Sequence, residues 1–393
     1  MPAPHFLMRI LYFAYVDLDR PNACQAHTLG LLRGFSAKGC RVEAVVPRPR
    51  ASLPPIPRVR FHFLPPHSGS RRKMLSAIGL SLVVLFRLCR RRRFQAVYAR
   101  DMDVFVGPRW CAKFFGLPLY LEVDDVPVEG HYPTLLYHLV QANVRADYRQ
   151  AASLIVPSVP RRRFIIEEFG LAPQKVHLVL NGADPPCGRP LTKTQARKRL
   201  GLPPRSFGLG YVGSVNERYD FDTMLQALKL CQDDIPRPFL LIVGDGSRLH
   251  EVRIQARDLG LAKRVLFTGF LQADELSEVV PAMDVGLMNL RAEEVRRHGP
   301  VHTKLATYGL FGLPVITAAH SLAGYPAALR DSVWLVPPEE PRSLAEAWVH
   351  LSRHPQECRR LAGALRRYVK KHLTWVQVAE KIVRIMTVSG KEA

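Results

Sequence analysis

The stretch HTKLATYGLFGLPVIT, residues 302–317, decides the fold because it joins a short helix to a strand. Its apolar residues recur at helical spacing as far as Gly312, and the strand-like PVIT follows at once. A helix that begins at the carboxyl edge of a parallel sheet presents backbone amides to an anion. The sequence therefore predicts a phosphate-facing helix that starts with His302, Thr303 and Lys304.

The alternation of strand and helix signals extends over the whole second half of the chain. The predicted strands there are FGLGYVGS (207–214), PFLLIVGDG (238–246), RVLFTGF (264–270), MDVGLMNL (283–290), LPVITA (313–318) and SVWLVPP (332–338). Strands that alternate with helices indicate βαβ units and a parallel sheet covered on both faces.

The first half has the same organisation. Its predicted strands are RILYFAYV (9–16), RVEAVVP (41–47), FQAVYA (94–99), LPLYLEVDD (117–125), SLIVPS (153–158) and VHLVLNGAD (176–184). Residues 185–206 are rich in Pro, Lys and Arg and predict a linker with a short helix. We expect Rossmann-like domains over 1–185 and 186–373 that face each other across a cleft, and a C-terminal helix over 374–393 that returns to the first domain. Ligands in such sheets bind beyond the carboxyl ends of the strands.

Composition limits the classes of protein that the chain can belong to. The 393 residues are 47% hydrophobic and 23% charged, as in a globular protein. The 7 cysteines are scattered without a C-x-x-C motif, which argues against a disulfide framework or a zinc site and favours a reducing cytoplasm. The start of the chain has no basic region or cleavage site typical of a signal peptide, so we expect a cytoplasmic location.

The net charge of +22 predicts an anionic partner. The basic runs are SRRK (70–73), RLCRRRRF (87–94) and RRRF (161–164). Nucleic acid is the less favoured partner, because no finger, recognition helix or aromatic-interleaved basic motif accompanies these runs. The uncharged MLSAIGLSLVVLF (74–86) is too short to span a bilayer. It is either a buried helix with a basic exit or an apolar and basic face that rests on anionic lipid on the inner side of a membrane.

Two loops in the second half carry glycine at a strand-to-helix junction. Gly213 and Ser214 precede a helix that we expect to start near Asp222, a residue type suited to an N-cap, and Gly244 and Asp245 follow the next strand. Glycine lets backbone amides approach phosphate oxygens at such junctions.

In this order the motifs resemble the glycosyltransferases of family four, which are retaining enzymes with the GT-B fold. The resemblance is carried by YVGS…FDTMLQAL, LLIVGDG, RVLFTGF-LQADEL, AMDVGLMNL and HTKLATYGLFGLPVIT, with VHLVLNGAD and YARDMDVFVG…LYLEVDD in the first half. It implies a nucleotide-sugar donor in the second domain and an acceptor hydroxyl in the first. It further implies transfer with retention, without a metal or another cofactor, to a glycan or a lipid-linked saccharide in polysaccharide biosynthesis.

The resemblance also assigns expected site residues. Those for the donor are Gly213, Ser214, Arg218, Gly244, Asp245, Phe270, Leu271, His302, Thr303, Lys304 and Thr307. Asn22 and Ala23 stand where the family has a phosphate-approaching glycine pair, and His27, Asp124 and Asp125 are the catalytic candidates. His27 is expected to open the first helix.

The sequence departs from the family at several of these positions. The two family glutamates, eight residues apart, fall on Gly299 and Thr307, and Thr307 cannot clamp a ribose diol as a carboxylate does. The family Arg and Lys fall on Ser214 and Tyr219, with Arg218 adjacent. Glu293 and Glu294, expected in a loop, could replace the lost acid. The alternatives are therefore an active transferase with a rearranged site, a catalytically silent partner protein, a GT-B sugar-nucleotide epimerase and a basic nucleic-acid-binding protein.

Overall fold

The computed structural model describes residues 8–19, 22–66, 71–100, 102–127, 133–298 and 303–389. The chain forms two compact units. The first contains Met1–Gly182 together with Trp375–Ala393, and the second is Ala183–Thr374. Each unit is a parallel sheet with helices on both faces.

The sheet of the first unit has seven parallel strands in the order β3-β2-β1-β4-β5-β6-β7. The strands are β1 Arg9–Ala14, β2 Arg41–Pro47, β3 Val59–Leu64, β4 Ala96–Arg100, β5 Leu119–Glu122, β6 Ser153–Val156 and β7 Val176–Leu178. The helices are α1 Ala23–Ala37, α2 Arg71–Arg91, α3 Gly107–Phe115, α4 Thr134–Gln150 and α5 Val159–Phe169. The strand order reverses between β1 and β4, whose registers pair Ile10 with Ala96 and Ala14 with Arg100. Such a reversal opens a crevice at the carboxyl ends of the strands.

The second unit repeats this plan with six parallel strands in the order β10-β9-β8-β11-β12-β13. Its strands are β8 Phe207–Val212, β9 Pro238–Val243, β10 Val265–Gly269, β11 Val285–Met288, β12 Val315–Ala318 and β13 Trp334–Val336. Its helices are α6 Lys193–Arg199, α7 Phe221–Cys231, α8 Leu249–Asp258, α9 Ala273–Val279, α10 Ala292–His298, α11 Thr303–Phe311, α12 Ala327–Arg330, α13 Pro341–Arg353 and α14 Pro355–His372. The reversal here lies between β8 and β11.

The last helix, α15 Trp375–Ser389, belongs to the first unit and packs on α1. A Cβ added to Gly34 would lie 2.3 Å from the Trp375 carbonyl oxygen, so the two backbones touch. The apolar face of α15 shares one buried cluster with β1, β2 and β4, and the Tyr120 hydroxyl donates to the Met386 carbonyl at 2.8 Å. The core of the first unit is therefore completed by a segment far away in sequence.

Residues 74–86 lie within α2, which alternates buried and exposed positions. Ala77 and Leu85 are fully buried, whereas Leu75 and Val83 are 69% and 62% exposed. The segment is therefore a helix that is partly buried and partly exposed, and its contact with lipid stays a prediction. Among the described helices, none combines the length and the apolar character that crossing a membrane requires.

Two local predictions were wrong, and a third was right only in part. The helix after Gly213 starts at Phe221, next to Asp222 as predicted, but its N-cap is Asp220, whose carboxylate accepts from the Thr223 amide at 3.1 Å, so Asp222 lies in the first turn. Glu293 and Glu294 lie in helix α10 and not in a loop. His27 lies in the second turn of α1, because that helix starts at Ala23 after the Asn22 cap.

Candidate functional site

The glycine loops of the second unit lie side by side at the carboxyl edge of its sheet. The Gly213 amide donates to the Val243 carbonyl at 2.9 Å, and the Gly244 amide donates to the Gly269 carbonyl at 2.8 Å. A Cβ on Gly244, whose φ is +148°, would lie 1.8 Å from the Gly213 carbonyl oxygen. Only glycine permits these loops to approach so closely.

Lys304 extends from the first turn of α11 over the first of these loops. A Cβ on Gly213 would lie 2.4 Å from Lys304 Cε and 2.5 Å from Nζ. The ammonium donates to the Tyr219 hydroxyl at 2.6 Å and lies 5.2 Å from the centre of the Tyr211 ring. A cation thus stands over a glycine turn at the N-terminus of a helix, an arrangement suited to phosphate oxygens.

Tyr308, which the sequence analysis did not single out, fixes the position of α11. Its hydroxyl accepts from the Val212 amide at 2.8 Å and donates to the Leu287 carbonyl at 3.0 Å, which joins the helix to β8 and β11. Burial raises the pKa of this phenol. The ring packs against Gly286, where an added Cβ would lie 2.6 Å from it. Gly286, a glycine inside a predicted strand, was the feature of the sequence that could have indicated a close contact with a large side chain such as Tyr308.

The remaining donor candidates differ in how closely they approach this centre. Thr307 donates its hydroxyl to the Thr303 carbonyl at 3.0 Å, within its own helix. Arg218 pairs with Glu294 at 3.5 Å, so one of the two candidate acids lies against the candidate arginine. Ser214 and Asp245 are exposed beside the glycine loops, and Phe270, 46% exposed, follows β10 with Leu271. His302 and Gly299 lie outside the described residues.

In the first unit, the candidates gather at the carboxyl ends of β4 and β5. The His27 ring is 4% exposed, and its Nε2 lies 2.7 Å from Glu122 Oε1. The Tyr98 hydroxyl donates to the other Glu122 oxygen at 2.8 Å. Glu122 and Tyr98 were not among the predicted site residues. Both are strand residues of ordinary type, and no local pattern indicates their pairing.

Arg100, the last residue of β4, connects this group to Asp124. Its guanidinium donates to the Asp124 carboxylate at 2.7 Å through Nε, and to the Thr28 hydroxyl and the Cys24 carbonyl, both at 3.2 Å. Burial is the largest influence and tends to raise the pKa of Asp124, but the charge and hydrogen bond of Arg100, together with its other cationic neighbours, outweigh burial and lower the pKa. Asp124 is therefore held as an anion. Asp125 is 67% exposed and contacts the buried Arg161 at 3.3 Å.

His27, Glu122 and Asp124 have potential ligand atoms within 4.8 Å of one another. A divalent cation there would compete with the Arg100 guanidinium for the Asp124 carboxylate. These side chains therefore suit a network of ion pairs better than a metal site. Asn22 caps α1 by accepting from the Gln25 amide at 2.9 Å, and Ala23 is the first helical residue. Both therefore lie at the N-terminus of α1.

Another buried carboxylate of the first unit, that of Asp147 in α4, is 1% exposed. Arg109 Nε lies 3.2 Å from its Oδ1, and the Asn143 amide donates to its Oδ2 at 3.2 Å. Burial dominates and raises the pKa of Asp147 to about 7, with a further contribution from Asp103.

Two family models match the chain. The "Glycosyl transferase 4-like domain" matches residues 22–182, and "Glycosyl transferases group 1" matches residues 206–354. The chain is 30% identical over 214 residues to the 2-deoxystreptamine glucosyltransferase of Streptomyces kanamyceticus, covering 51% of this chain and 55% of that protein. It is 27% identical over 261 residues to a D-inositol 3-phosphate glycosyltransferase of Thermomonospora curvata, covering 60% and 57%. The matches thus span a little over half the length of these curated relatives.

The fold is also that of solved structures. The crystal structure of Anabaena HepE in complex with UDP and glucose covers 97% of this chain and 99% of its own, with a TM-score of 0.73 at 17% identity. The predicted GT-B fold, with its two Rossmann-like units, is confirmed. Since the two family models fall one on each unit, the chain belongs to the family four-like glycosyltransferases.

Proposed function

We propose that the protein transfers a glycosyl group from a nucleotide-sugar to a hydroxyl of an acceptor. The observation that carries the proposal is the position of Lys304 over Gly213, at the carboxyl edge of β8. Departure of a nucleoside diphosphate develops negative charge, which the cation of Lys304 and the N-terminus of α11 would stabilise. We assign the diphosphate to Gly213, Gly244, Thr303 and Lys304, with Ser214, Arg218 and Asp245 at the edge of the site.

The acidic residues of this site differ from the family pattern. Thr307 offers one hydroxyl, already engaged within the helix, where the family has a glutamate. Glu294, adjacent to Arg218, is the acid that we assign to the sugar or the ribose. Backbone groups near Phe270 and Leu271 are assigned to the base.

We assign the acceptor to the first unit, with His27, Asp124 and Asp125 near the reacting hydroxyl and Asn22 and Ala23 near phosphate. The pairing of His27 with Glu122 suits a proton acceptor, because a carboxylate stabilises the imidazolium that forms. Transfer proceeds with retention and without a metal in this proposal. The acceptor is a glycan or a lipid-linked saccharide. The relatives named above carry the names of cyclitol acceptors, so 2-deoxystreptamine and D-inositol 3-phosphate belong in the test.

Calorimetric titration of the protein with UDP-, GDP- and dTDP-sugars tests the donor assignment. We expect saturable binding of one nucleotide series and slow donor hydrolysis. Product formation is then followed with the acceptor panel, with and without EDTA, and the anomeric configuration is read by NMR. Donor binding without transfer to any acceptor would favour a silent partner protein. Recovery of a donor epimer would favour an epimerase, and binding of no donor would refute the proposal.

We further propose that the protein works in the cytoplasm at an anionic membrane surface, through what we call the α2–α3 face. This face comprises the exposed Leu75 and Val83 of α2, Trp110 and Phe114 of α3, and the basic residues between them. Trp110 and Phe114 are 52% and 72% exposed, and the Phe114 ring lies 5.3 Å from that of Phe86, which joins the two helices.

Charge favours anionic lipid as the occupant of this face. Helices α2 and α3 contain no Asp or Glu, and the exposed Arg87, Arg90, Arg91 and Lys113 lie among the apolar residues. Aromatic and apolar side chains that insert at the headgroup level, together with arginines, are typical of interfacial helices.

Vesicle flotation tests the α2–α3 face. One set of vesicles contains phosphatidylcholine alone, and the other contains about 30% phosphatidylglycerol, which makes its surface anionic. We expect binding only to the anionic vesicles and loss of binding in Trp110→Ser/Phe114→Ser. Leu230→Ser, which changes a 52% exposed residue of the second unit, is the matched control. Binding of the wild type to duplex DNA in preference to the vesicles would identify nucleic acid as the partner instead.

A further inference from the structure

We propose that Cys89 and Cys111 are a modification site, a dithiol that a peroxide converts into an intramolecular disulfide. Cys89 lies near the end of α2 and Cys111 in the middle of α3, and their Sγ atoms are 3.3 Å apart. A disulfide bond is about 2 Å long, so the two sulfurs need to approach by only about 1 Å. Neither the glycosyl transfer nor the lipid contact uses these thiols.

The packing of the two helices holds the thiols at this distance. Gly107 at the start of α3 lies against α2, where an added Cβ would be 2.9 Å from the Ser81 hydroxyl and 3.1 Å from Leu85 Cδ1. Phe86 contacts Phe115 with ring centres 5.5 Å apart at the other end of the contact. Along α3, Cys111 therefore lies between these two contacts, and along α2, Cys89 lies about one turn beyond them.

The two thiols differ in the way that a reactive and a resolving cysteine differ. Cys89 is half-buried within the run RLCRRRR, and the Arg87 and Arg90 side chains beside it are exposed. Cys111 is fully buried and donates a hydrogen bond to Cys89. This bond lowers the pKa of Cys89, against the effect of its burial, and raises that of Cys111. A partly exposed thiol in an electropositive surrounding is the type that reacts.

The other buried and half-buried cysteines lack this activation. Burial raises the pKa of Cys40 to about 11, of Cys231 to about 12 and of Cys358 to about 11. Their thiolate fraction at neutral pH is therefore negligible. Cys24 and Cys187 are exposed, and they are the competitors that an experiment has to distinguish.

The reaction balances with hydrogen peroxide as the oxidant. The Cys89 thiolate attacks one peroxide oxygen and breaks the O–O bond, which gives the Cys89 sulfenic acid and a hydroxide that takes up a proton to form water. The Cys111 sulfur then attacks the Cys89 sulfur. The S–O bond breaks, and the hydroxide leaves with the Cys111 proton as a second water. Two thiols lose two electrons in total, and the peroxide is reduced to two waters.

The product would tie α2 to α3 beneath the α2–α3 face. A cross-link between these helices fixes their spacing, and with it the distance between Val83 and the pair Trp110 and Phe114. Thiol reductants of the cytoplasm would reverse it, as is typical of redox-sensing cysteines in that compartment.

The test treats the full chain with one equivalent of hydrogen peroxide, denatures it so that the buried thiols become accessible, alkylates the free thiols with iodoacetamide and maps the peptides by mass. We expect five alkylated thiols in place of the 7 present, a linked peptide that contains Cys89 and Cys111, and its loss after dithiothreitol. In Cys111→Ser, the Cys89 sulfenic acid should persist and react with dimedone. Cys231→Ser, which changes another buried thiol, should form the linked peptide as the wild type does.

Two results would overturn the proposal. One is that Cys89 and Cys111 remain alkylatable while Cys24 and Cys187 are oxidised. The other is a disulfide-linked peptide that contains Cys111 and still forms in Cys89→Ser. If Cys111→Ser fails to fold by circular dichroism, Cys111→Ala supplies the same comparison, because it leaves a smaller apolar side chain at the buried position.

Discussion

The ammonium of Lys304 and the hydroxyl of Tyr219 are 2.6 Å apart, and the lysine side chain passes directly over Gly213. Tyr219 is 8% exposed and is fixed by its bridge to Leu290. The tyrosine thus holds a flexible lysine in one place, which reduces the entropy that the lysine loses when it binds a phosphate.

Lys304→Ala should weaken binding of the nucleoside diphosphate by about 10- to 100-fold, since a hydrogen bond to a charged group is worth roughly 1.5–3 kcal/mol. Titration calorimetry measures this, with Lys229→Ala, an exposed lysine of α7, as the control. Tyr219→Phe should have a smaller effect in the same direction. Unchanged affinity in Lys304→Ala would place the diphosphate elsewhere.

Gly213→Ala should abolish donor binding and destabilise the second unit. The added methyl group would clash with Lys304, and the φ of +143° is unfavourable for any residue with a Cβ. Gly363→Ala is the matched control, because Gly363 lies in helix α14 with only the tip of Arg367 nearby. That change should raise stability by up to about 1 kcal/mol. Thermal unfolding and nucleotide titration of both variants provide the comparison, and normal donor binding in Gly213→Ala would contradict the prediction.

Arg100→Ala should destabilise the first unit by roughly 3–5 kcal/mol, because it leaves the carboxylate of Asp124 buried without its partner. Urea unfolding measures the loss. Arg163→Ala, which breaks an exposed pair with Glu167 on α5, should leave the unfolding midpoint nearly unchanged. The double variant Arg100→Ala/Asp124→Ala should recover part of the loss, since it removes the unpaired charge. Equal midpoints for the two single arginine variants would show that the buried pair is not stabilising.

Asp147 should make the stability of the first unit depend on pH. Its pKa is about 7 in the folded protein and 3.8 in an ordinary exposed carboxyl. The unfolded chain therefore ionises first as pH rises, and the contribution of the neutral acid is present below about pH 4 and lost by about pH 7. Each pKa unit corresponds to about 1.4 kcal/mol, so the total change is on the order of a few kcal/mol.

Asp147→Asn removes this titration. Urea unfolding from pH 4 to pH 8 measures the free energy of unfolding of both proteins. We expect the wild type to lose stability relative to the variant as pH rises to about 7, and the difference between them to stay constant above that pH. A pH-independent difference would mean that Arg109 keeps the carboxylate ionised throughout.

Periodicity predicted the parallel strands of both sheets because buried strands of this kind are continuous apolar runs. Strand β3 was missed, because VRFHFL lies at the sheet edge after a proline-rich segment and only Leu64 in it is fully buried. The helix that carries Lys304 was predicted from its apolar spacing and its Gly-Leu-Pro exit.

The partners within the candidate site could not be predicted to the same extent. Arg100 and Asp124 are far apart in sequence and meet because β4 and β5 are neighbours in the sheet. The contact of His27 with Glu122 likewise depends on where along the strands α1 packs against the sheet. Such pairs depend on tertiary packing, which local patterns do not specify.

The inclusion of α15 in the first unit has a consequence for synthesis on the ribosome. The second unit is one continuous segment, Ala183–Thr374, and can be completed as soon as that segment has emerged. The first unit has to wait for Trp375, which fills the space against Gly30 and Gly34, although most of its residues are made earlier. The first unit therefore completes its core after the second unit has been made, and until then the α1 surface that receives α15 is uncovered.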